Sequence, residues 1–397
     1  MTKQEIDEKI KAQWSAMETK QDFLRLLNLS NCALYAEKAQ PFTFRQLLFH
    51  AHTTRNKKRY VSFKIPKKKK GEFRVIDAPN PTLKSMQRAL NYALQVIYEP
   101  HAAAMGFVPG RSIVSNAQSH TNKRFVYNID LKNFFPSISS GRVFARFQAK
   151  PFSCNKEVAS LIADLCCYRN DFGTVLPQGA PTSPTITNII CDRLDVKLTR
   201  LATAYGLHYT RYADDITFSG MSNMFAEDGR FCQSVKHIVE DEEHFTINKD
   251  KTRLCHRGIR QEVTGITVNE KPNVTREYVK QLRTMIHNWE SQGYERAQAR
   301  FLEIYNKTNT RYHKAKGNHH IENIISGKLL FLKMVKGENN AQYKKLDERL
   351  VALESTHTDP IPQNRSNAVI PPAMGDNIIS NEKEILEEFM TLNKLLE

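Results

Sequence analysis

Two aspartates, Asp214 and Asp215, stand side by side between two short runs of β-forming residues, and this pair restricts the chain more than any other feature. Tyr209-Thr210-Arg211-Tyr212 precedes the pair and Ile216-Thr217-Phe218-Ser219 follows it, so the spacing predicts a hairpin with an acidic tip. Unit charges about 4 Å apart repel by ~4 kcal/mol at an effective dielectric of about 20, so a tight turn holding both carboxylates needs a cation to neutralise them. Oxygen ligands of this kind suit Mg²⁺, which takes one or two protein carboxylates together with phosphate oxygens. A solvated acidic turn is the ordinary alternative. A third carboxylate weighs against that alternative. Asp130 closes the apolar run Tyr127-Asn128-Ile129-Asp130-Leu131, and an aspartate ending a buried strand is costly unless it is paired or metal-bound. The competing reading of Asp130 is a simple capped strand end. If its strand neighbours the hairpin, three carboxylates meet and can hold two metal ions for phosphoryl transfer.

The rest of the chain fits a polyanionic partner. Lys and Arg number 58 against 42 acidic residues, a formal charge of +16, which favours nucleic acid first and an anionic membrane surface second. The excess is local. Ten basic residues and one acidic residue lie between Arg55 and Arg74, and sixteen basic against eight acidic between Lys271 and Arg349. From Glu354 to Glu397 the balance reverses, with eight acidic and three basic. No run approaches the ~18 consecutive apolar residues of a membrane span, and the charged N-terminus is unlike a secretory signal. Seven cysteines without CxxC spacing suit a reducing cytosol and offer no zinc site, so a cytoplasmic protein without a membrane partner is expected.

Periodicity predicts one or two helices over residues 3–29, others over 82–98, 156–168 and 185–205, and mostly helix from about 275 to 353. Tyr60 to Pro66 and Phe73 to Asp77 alternate like strands, and Lys67-Lys68-Lys69-Lys70-Gly71 between them makes a hairpin. Four prolines between Ser355 and Gly375 mark a linker. A final amphipathic helix is expected after Asn381, with Ile385, Leu386, Phe389, Leu392 and Leu396 on its apolar side.

Four segments, taken in order, resemble the palm of a reverse transcriptase. Asn128-Ile129-Asp130-Leu131-Lys132-Asn133-Phe134-Phe135 resembles the first metal motif, and Tyr212-Ala213-Asp214-Asp215 the second. Leu176-Pro177-Gln178-Gly179-Ala180-Pro181-Thr182-Ser183-Pro184 resembles the loop and helix covering template and nucleotide, and Ile247-Asn248-Lys249-Asp250-Lys251-Thr252 the next palm motif. Together they cover about residues 60–270. Asn116-Ala117-Gln118-Ser119-His120 and Val263-Thr264-Gly265 further resemble the NAxxH and VTG patterns of bacterial retron reverse transcriptases. The resemblance implies an α+β right-hand polymerase, with fingers and palm built from antiparallel sheet plus helices and a helical thumb. Its parts would be an N-terminal helical segment (1–50), fingers (51–125), palm (126–270, with a fingers insertion at about 140–180), a basic RNA-binding thumb (271–353), and a linker with an acidic helix (354–397).

The resemblance also implies roles. Asp130, Asp214 and Asp215, with the Leu131 carbonyl, would bind two Mg²⁺ ions. Phe135 would stand under the sugar and exclude a 2′-hydroxyl, the group that distinguishes RNA from DNA, with Phe134 as its core neighbour; both rings filling the core is the alternative. Arg74, with one lysine of the run such as Lys67, would clamp the triphosphate. Gln178 and Gly179 would cover the nascent base pair, glycine permitting close backbone approach. Lys251 would protonate pyrophosphate or simply contact phosphate. Asn116 and His120, four apart on a helix face, would hydrogen-bond RNA, although a lone histidine is more often structural. Val263, Thr264 and Gly265 would lie near the primer strand. The partners implied are dNTPs, a cognate non-coding RNA, its branched msDNA product primed from a guanosine 2′-hydroxyl, and an effector protein in antiphage defence. Group II intron-like and abortive-infection reverse transcriptases are the alternatives within enzymes; residues 355–397 are too few for a maturase or nuclease domain. A catalytically idle RNA-binding scaffold is the alternative outside them, disfavoured because an idle site has no reason to keep three mutually repelling carboxylates.

Overall fold

A computed structural model describes residues 2–52, 59–66, 71–308 and 320–356. Lys67, the rest of its lysine run, and the linker and acidic helix beyond Thr356 lie outside the described residues. The chain forms two compact units, Met1–Ile259 and Arg260–Glu397.

The first unit mixes helices with antiparallel sheet. Two N-terminal helices, Lys3–Ser15 and Lys20–Tyr35, each begin with a capping box, Thr2 with Glu5 and Thr19 with Asp22, which satisfies backbone N–H groups that the first turn leaves open. They bury Ile10, Trp14, Phe23, Leu26 and Leu27 in the core. Strands β1 (Tyr60–Pro66) and β2 (Phe73–Pro79) form a two-stranded ribbon in which Phe63 faces Ile76 and Ile65 faces Arg74. Val61, Phe63, Ile65, Phe73 and Val75 on this ribbon remain exposed.

Strand β3 (Phe125–Asp130) follows. Two short strands, β4 (Tyr168–Asn170) and β5 (Gly173–Val175), make a small hairpin of their own. After these, β6 (His208–Tyr212), β7 (Asp215–Gly220) and β8 (Arg253–His256) complete a four-stranded sheet with β3, in the order β6-β7-β3-β8. The 22-residue helix Ser183–Ala204 buries Ile186, Ile189, Ile190, Leu194 and Leu198 in the same core, and its length matches the apolar periodicity expected over 185–205.

The second unit opens with a short hairpin, β9 (Glu262–Val263) and β10 (Ile266–Thr267), joined by Thr264 and Gly265. Both joining residues have positive φ, 48° and 80°, the pattern of a type I′ turn. Helices Arg276–Gln292, Tyr294–Thr308, Ile321–Lys336 and Ala341–Thr356 follow. Their shared core holds Leu282, Ile286, Trp289, Ile325, Leu329 and Leu332. Lys328 is fully buried, its ammonium 4.6 Å above the Tyr278 ring, and burial pushes its pKa down to about 8. No helix among the described residues is long and apolar enough to cross a membrane.

Candidate active site

The acidic hairpin forms because β6 and β7 pair antiparallel with Tyr212 opposite Asp215, leaving Ala213 and Asp214 as a two-residue turn. Ala213 takes φ 56° where a type II′ turn favours glycine, so the turn is held against its own preference by its surroundings. β3 lies on the other side of β7, with Asp130 opposite Asp215. The Leu131 N–H donates to the Asp214 carbonyl at 3.0 Å, tying the two acidic segments together at their ends. Asp130 and the adjacent pair Asp214-Asp215, far apart in sequence, therefore converge through strand register.

The electrostatics follow from that crowding. Asp214 is raised above its ordinary value, first by loss of water and then by the charge of Asp130, with Lys251 and Arg74 opposing. Asp215 lies at the open end of β7, yet desolvation by the surrounding protein, followed by the charges of Asp214 and Asp130, pushes it up to about 7. Asp130 is differently engaged. Lys251 Nζ donates to one of its carboxylate oxygens at 2.7 Å and Asn248 Nδ2 to the other at 2.8 Å. Asn248 also donates its backbone N–H to the Asp130 carbonyl, so the segment after β7 docks on the end of β3. Among the described residues, no set of three or more His, Cys, Asp or Glu side chains closes into a metal-binding group. The donors still suit a divalent cation: they are hard oxygens, and their repulsion is the imbalance such an ion relieves.

The neighbouring residues divide into those that face the acidic cluster and those that do not. Arg74 is exposed on the β-ribbon, and its charge acts on Asp214. Phe134 is buried against Phe245, with ring centroids 5.6 Å apart, whereas Phe135 is half-buried and touches Phe134 and Phe107. The Gln178 carbonyl accepts a hydrogen bond from the Asp77 N–H at 2.8 Å, and Gly179 has φ 125°. A Cβ on Gly179 would lie 2.9 Å from Ile76 Cγ2 and 3.1 Å from the Asp77 carbonyl oxygen, so the close approach that requires glycine here is to β2.

Asn116 and His120 depart from the expected RNA contact. Both are buried, at 1% and 0% exposure. His120 Nδ1 lies 2.7 Å from the Ser219 hydroxyl and Nε2 2.7 Å from that of Thr210, which itself donates to Asn116 Oδ1. Their side chains brace β6 and β7 from behind, leaving no surface for a nucleic acid to touch, and burial lowers the His120 pKa to about 3. Val263 ends β9, and Thr264 and Gly265 form the hairpin turn of the second unit.

Sequence reasoning missed a buried support beneath the turn. Arg211, fully buried, forms an ion pair with Asp195 at 2.6 Å, reaches Asn188 Oδ1 at 3.1 Å, and donates to the Ala213 carbonyl at 3.2 Å. Burial by itself lowers the Arg211 pKa, but the Asp195 charge outweighs it and holds the guanidinium well above its ordinary value. Tyr209 donates to the same Asp195 at 2.7 Å. A charged residue inside the β-run Tyr209–Tyr212 was the available signal, since an arginine there must find an acid.

A model of the reverse transcriptase (RNA-dependent DNA polymerase) family matches residues 65–303. The chain is 38% identical over 257 residues to the retron Mx65 reverse transcriptase of Myxococcus xanthus, covering 60% of this chain and 58% of that protein. It is 38% identical over 257 residues to the retron Mx162 reverse transcriptase of the same organism, covering 58% and 52%. To the retron Ec86 reverse transcriptase of Escherichia coli it is 34% identical over 244 residues, covering 58% and 70%. The chain thus spans a little over half the length of the two Myxococcus relatives. With well over half its residues inside the family model, and three named relatives of a single kind, the chain belongs to the reverse transcriptases, in their bacterial retron branch.

Proposed function

We propose that this protein is an RNA-directed DNA polymerase that copies part of a structured RNA, priming from an internal guanosine 2′-hydroxyl to give branched msDNA. The observation that carries the reading is the register of Asp130 against Asp215, with Asp214 in the adjoining turn. Asp130, Asp214, Asp215 and the Leu131 carbonyl would hold two Mg²⁺ ions. Such ions, when bound, lower the pKa of an attacking hydroxyl and offset the charge that builds up on a triphosphate. Arg74, projecting from the ribbon, is suited to a bidentate grip on phosphate, and Lys67 belongs to the same basic run. Lys251 is exposed beside Asp130, where its ammonium can give a proton to departing pyrophosphate. Phe135 presents its free side towards the nucleotide sugar and disfavours ribonucleotides.

Gln178 and Gly179, docked on β2, form the shelf over the nascent base pair. The ribbon and its neighbours act as fingers, the four-stranded sheet as palm, and the basic helices of the second unit as thumb, gripping RNA through its phosphates. Within this reading, Val263, Thr264 and Gly265 approach the primer strand, and the RNA–DNA product restrains an effector protein in a cytoplasmic antiphage system. The test is dNTP incorporation with Mg²⁺ on the cognate RNA, followed by debranching of the product. Asp214→Asn combined with Asp215→Asn abolishes synthesis while leaving the protein folded. Full synthesis by that double variant rejects the metal site, and DNA that debranching does not release rejects 2′-priming.

A further inference from the structure

The loop before the helix Ile113–Gln118, which carries Asn116, lies against the acidic hairpin. The Arg211 N–H donates to the Ala103 carbonyl at 2.8 Å and the Met105 N–H to the Arg211 carbonyl at 2.7 Å, so this loop adds a short parallel bridge to β6. Arg111 clamps the loop from inside, Nη1 donating to the His101 and Ala104 carbonyls at 2.7 and 2.6 Å. Gly106 then passes so close to the turn that a Cβ would lie 2.7 Å from the Ala213 nitrogen, while Asn188 Nδ2 donates to the Gly106 carbonyl at 2.9 Å. With Gly106 fixed, the next residue has little choice. Phe107 adopts φ 62°, a left-handed conformation that a bulky side chain rarely takes. Its ring centroid lies 6.3 Å from that of Phe135 and 6.5 Å from that of Tyr212. Strain at a site boxed in by its neighbours is kept where a side chain must stand in one place.

We propose that Phe107 is a specificity-determining positioning residue, a wedge between Tyr212 and Phe135 that fixes where the Phe135 ring stands. Among the described residues Phe135 meets one other ring, Phe134, as it leaves the core, and without the Phe107 wall the ring can swing away and open room for a 2′-hydroxyl. Phe107 need not touch the nucleotide. It supplies the second wall. The inference rests on the reading of Phe135 as the sugar-selecting ring, and the experiment separates the two.

The full chain is assayed on poly(rA)·oligo(dT), comparing kcat/KM for dTTP with that for ribothymidine triphosphate, in the parent protein and in Phe107→Ala, Phe107→Tyr and Phe135→Ala. For Phe107→Ala the preference for dTTP falls about tenfold, the change that about 1.4 kcal/mol of lost ring contact represents, and ribonucleotide kcat/KM rises in absolute terms. A purely structural defect would lower both values together. Phe107→Tyr, which keeps the wedge, restores the preference. If Phe107→Ala yields no folded protein, Phe107→Leu reads the same ratio. A parent-like preference in Phe107→Ala or Phe107→Leu, alongside a lost preference in Phe135→Ala, overturns the wedge and leaves the role of Phe135 standing. A parent-like preference in Phe135→Ala removes the sugar-selecting ring itself, and the wedge with it.

Discussion

His120 makes the burial of the NAxxH motif measurable. Its imidazole bridges two hydroxyls behind the acidic hairpin, and desolvation lowers its pKa from 6.5 to about 3, with the charges of His208 and Lys123 adding to the effect. The folded state therefore holds fewer protons at this site than the unfolded chain, so stability is complete above the unfolded pKa and declines as pH falls towards the folded one. The full separation corresponds to about 5 kcal/mol, of which about 1–2 kcal/mol is lost between roughly pH 7.5 and pH 5.5. Urea unfolding of the parent protein and of His120→Gln at these two pH values isolates the contribution, because His208 remains in both. His120→Gln is less stable at the higher pH by about 1–3 kcal/mol, having lost buried hydrogen bonds, and its pH dependence is flatter by the amount above. Equal losses in the two proteins between the two pH values would refute a neutral buried bridge and return His120 to the surface role.

Three further outcomes follow from the packing around the site. Gly106→Ala drives a methyl group into the Ala213 nitrogen, and kcat for dNTP incorporation falls on the order of 100-fold, as expected for an ångström-scale displacement of reacting groups; a parent-like kcat would show the turn to be tolerant. Asp195→Leu leaves Arg211 charged, buried and without its acid, and destabilises the first unit by about 3–5 kcal/mol in urea unfolding. A loss below about 1 kcal/mol would show that Asn188 and the Ala213 carbonyl satisfy the guanidinium unaided. Gly179→Ala, strained at its φ by about 1–3 kcal/mol and crowded against β2, raises the KM for dNTP more than it lowers kcat; equal changes in both would point to general misfolding.

Much of this arrangement was legible in the sequence where local pattern and chemistry coincide. The alternation in Tyr60–Pro66 and Phe73–Asp77 locates the ribbon, and the β-runs around Ala213-Asp214 locate the hairpin, because side-chain periodicity reports strand directly. The aspartates stood out because each is costly where it sits. What escaped depends on contacts distant in sequence. Nothing near Asp195 announces that Arg211 needs it, sixteen residues on. The helix Phe44–Ala51 and the small β4–β5 hairpin are too short for periodicity to mark. The burial of His120 is hidden for a related reason: a polar side chain four residues from another polar one looks like an exposed face until Thr210 and Ser219 arrive from a different part of the chain to satisfy it.

The seam between Gln178-Gly179 and β2 has an evolutionary corollary. A backbone hydrogen bond and a glycine without clearance leave no slack between the ribbon bearing Arg74 and the shelf beside it, so neither can drift alone. Bulk added on the shelf has to be removed from the ribbon. Trimming Ile76 to alanine is therefore expected to restore part of the nucleotide affinity lost in Gly179→Ala, leaving the conformational strain and the close approach to the Asp77 carbonyl oxygen. Related chains should vary at these two positions as a couple.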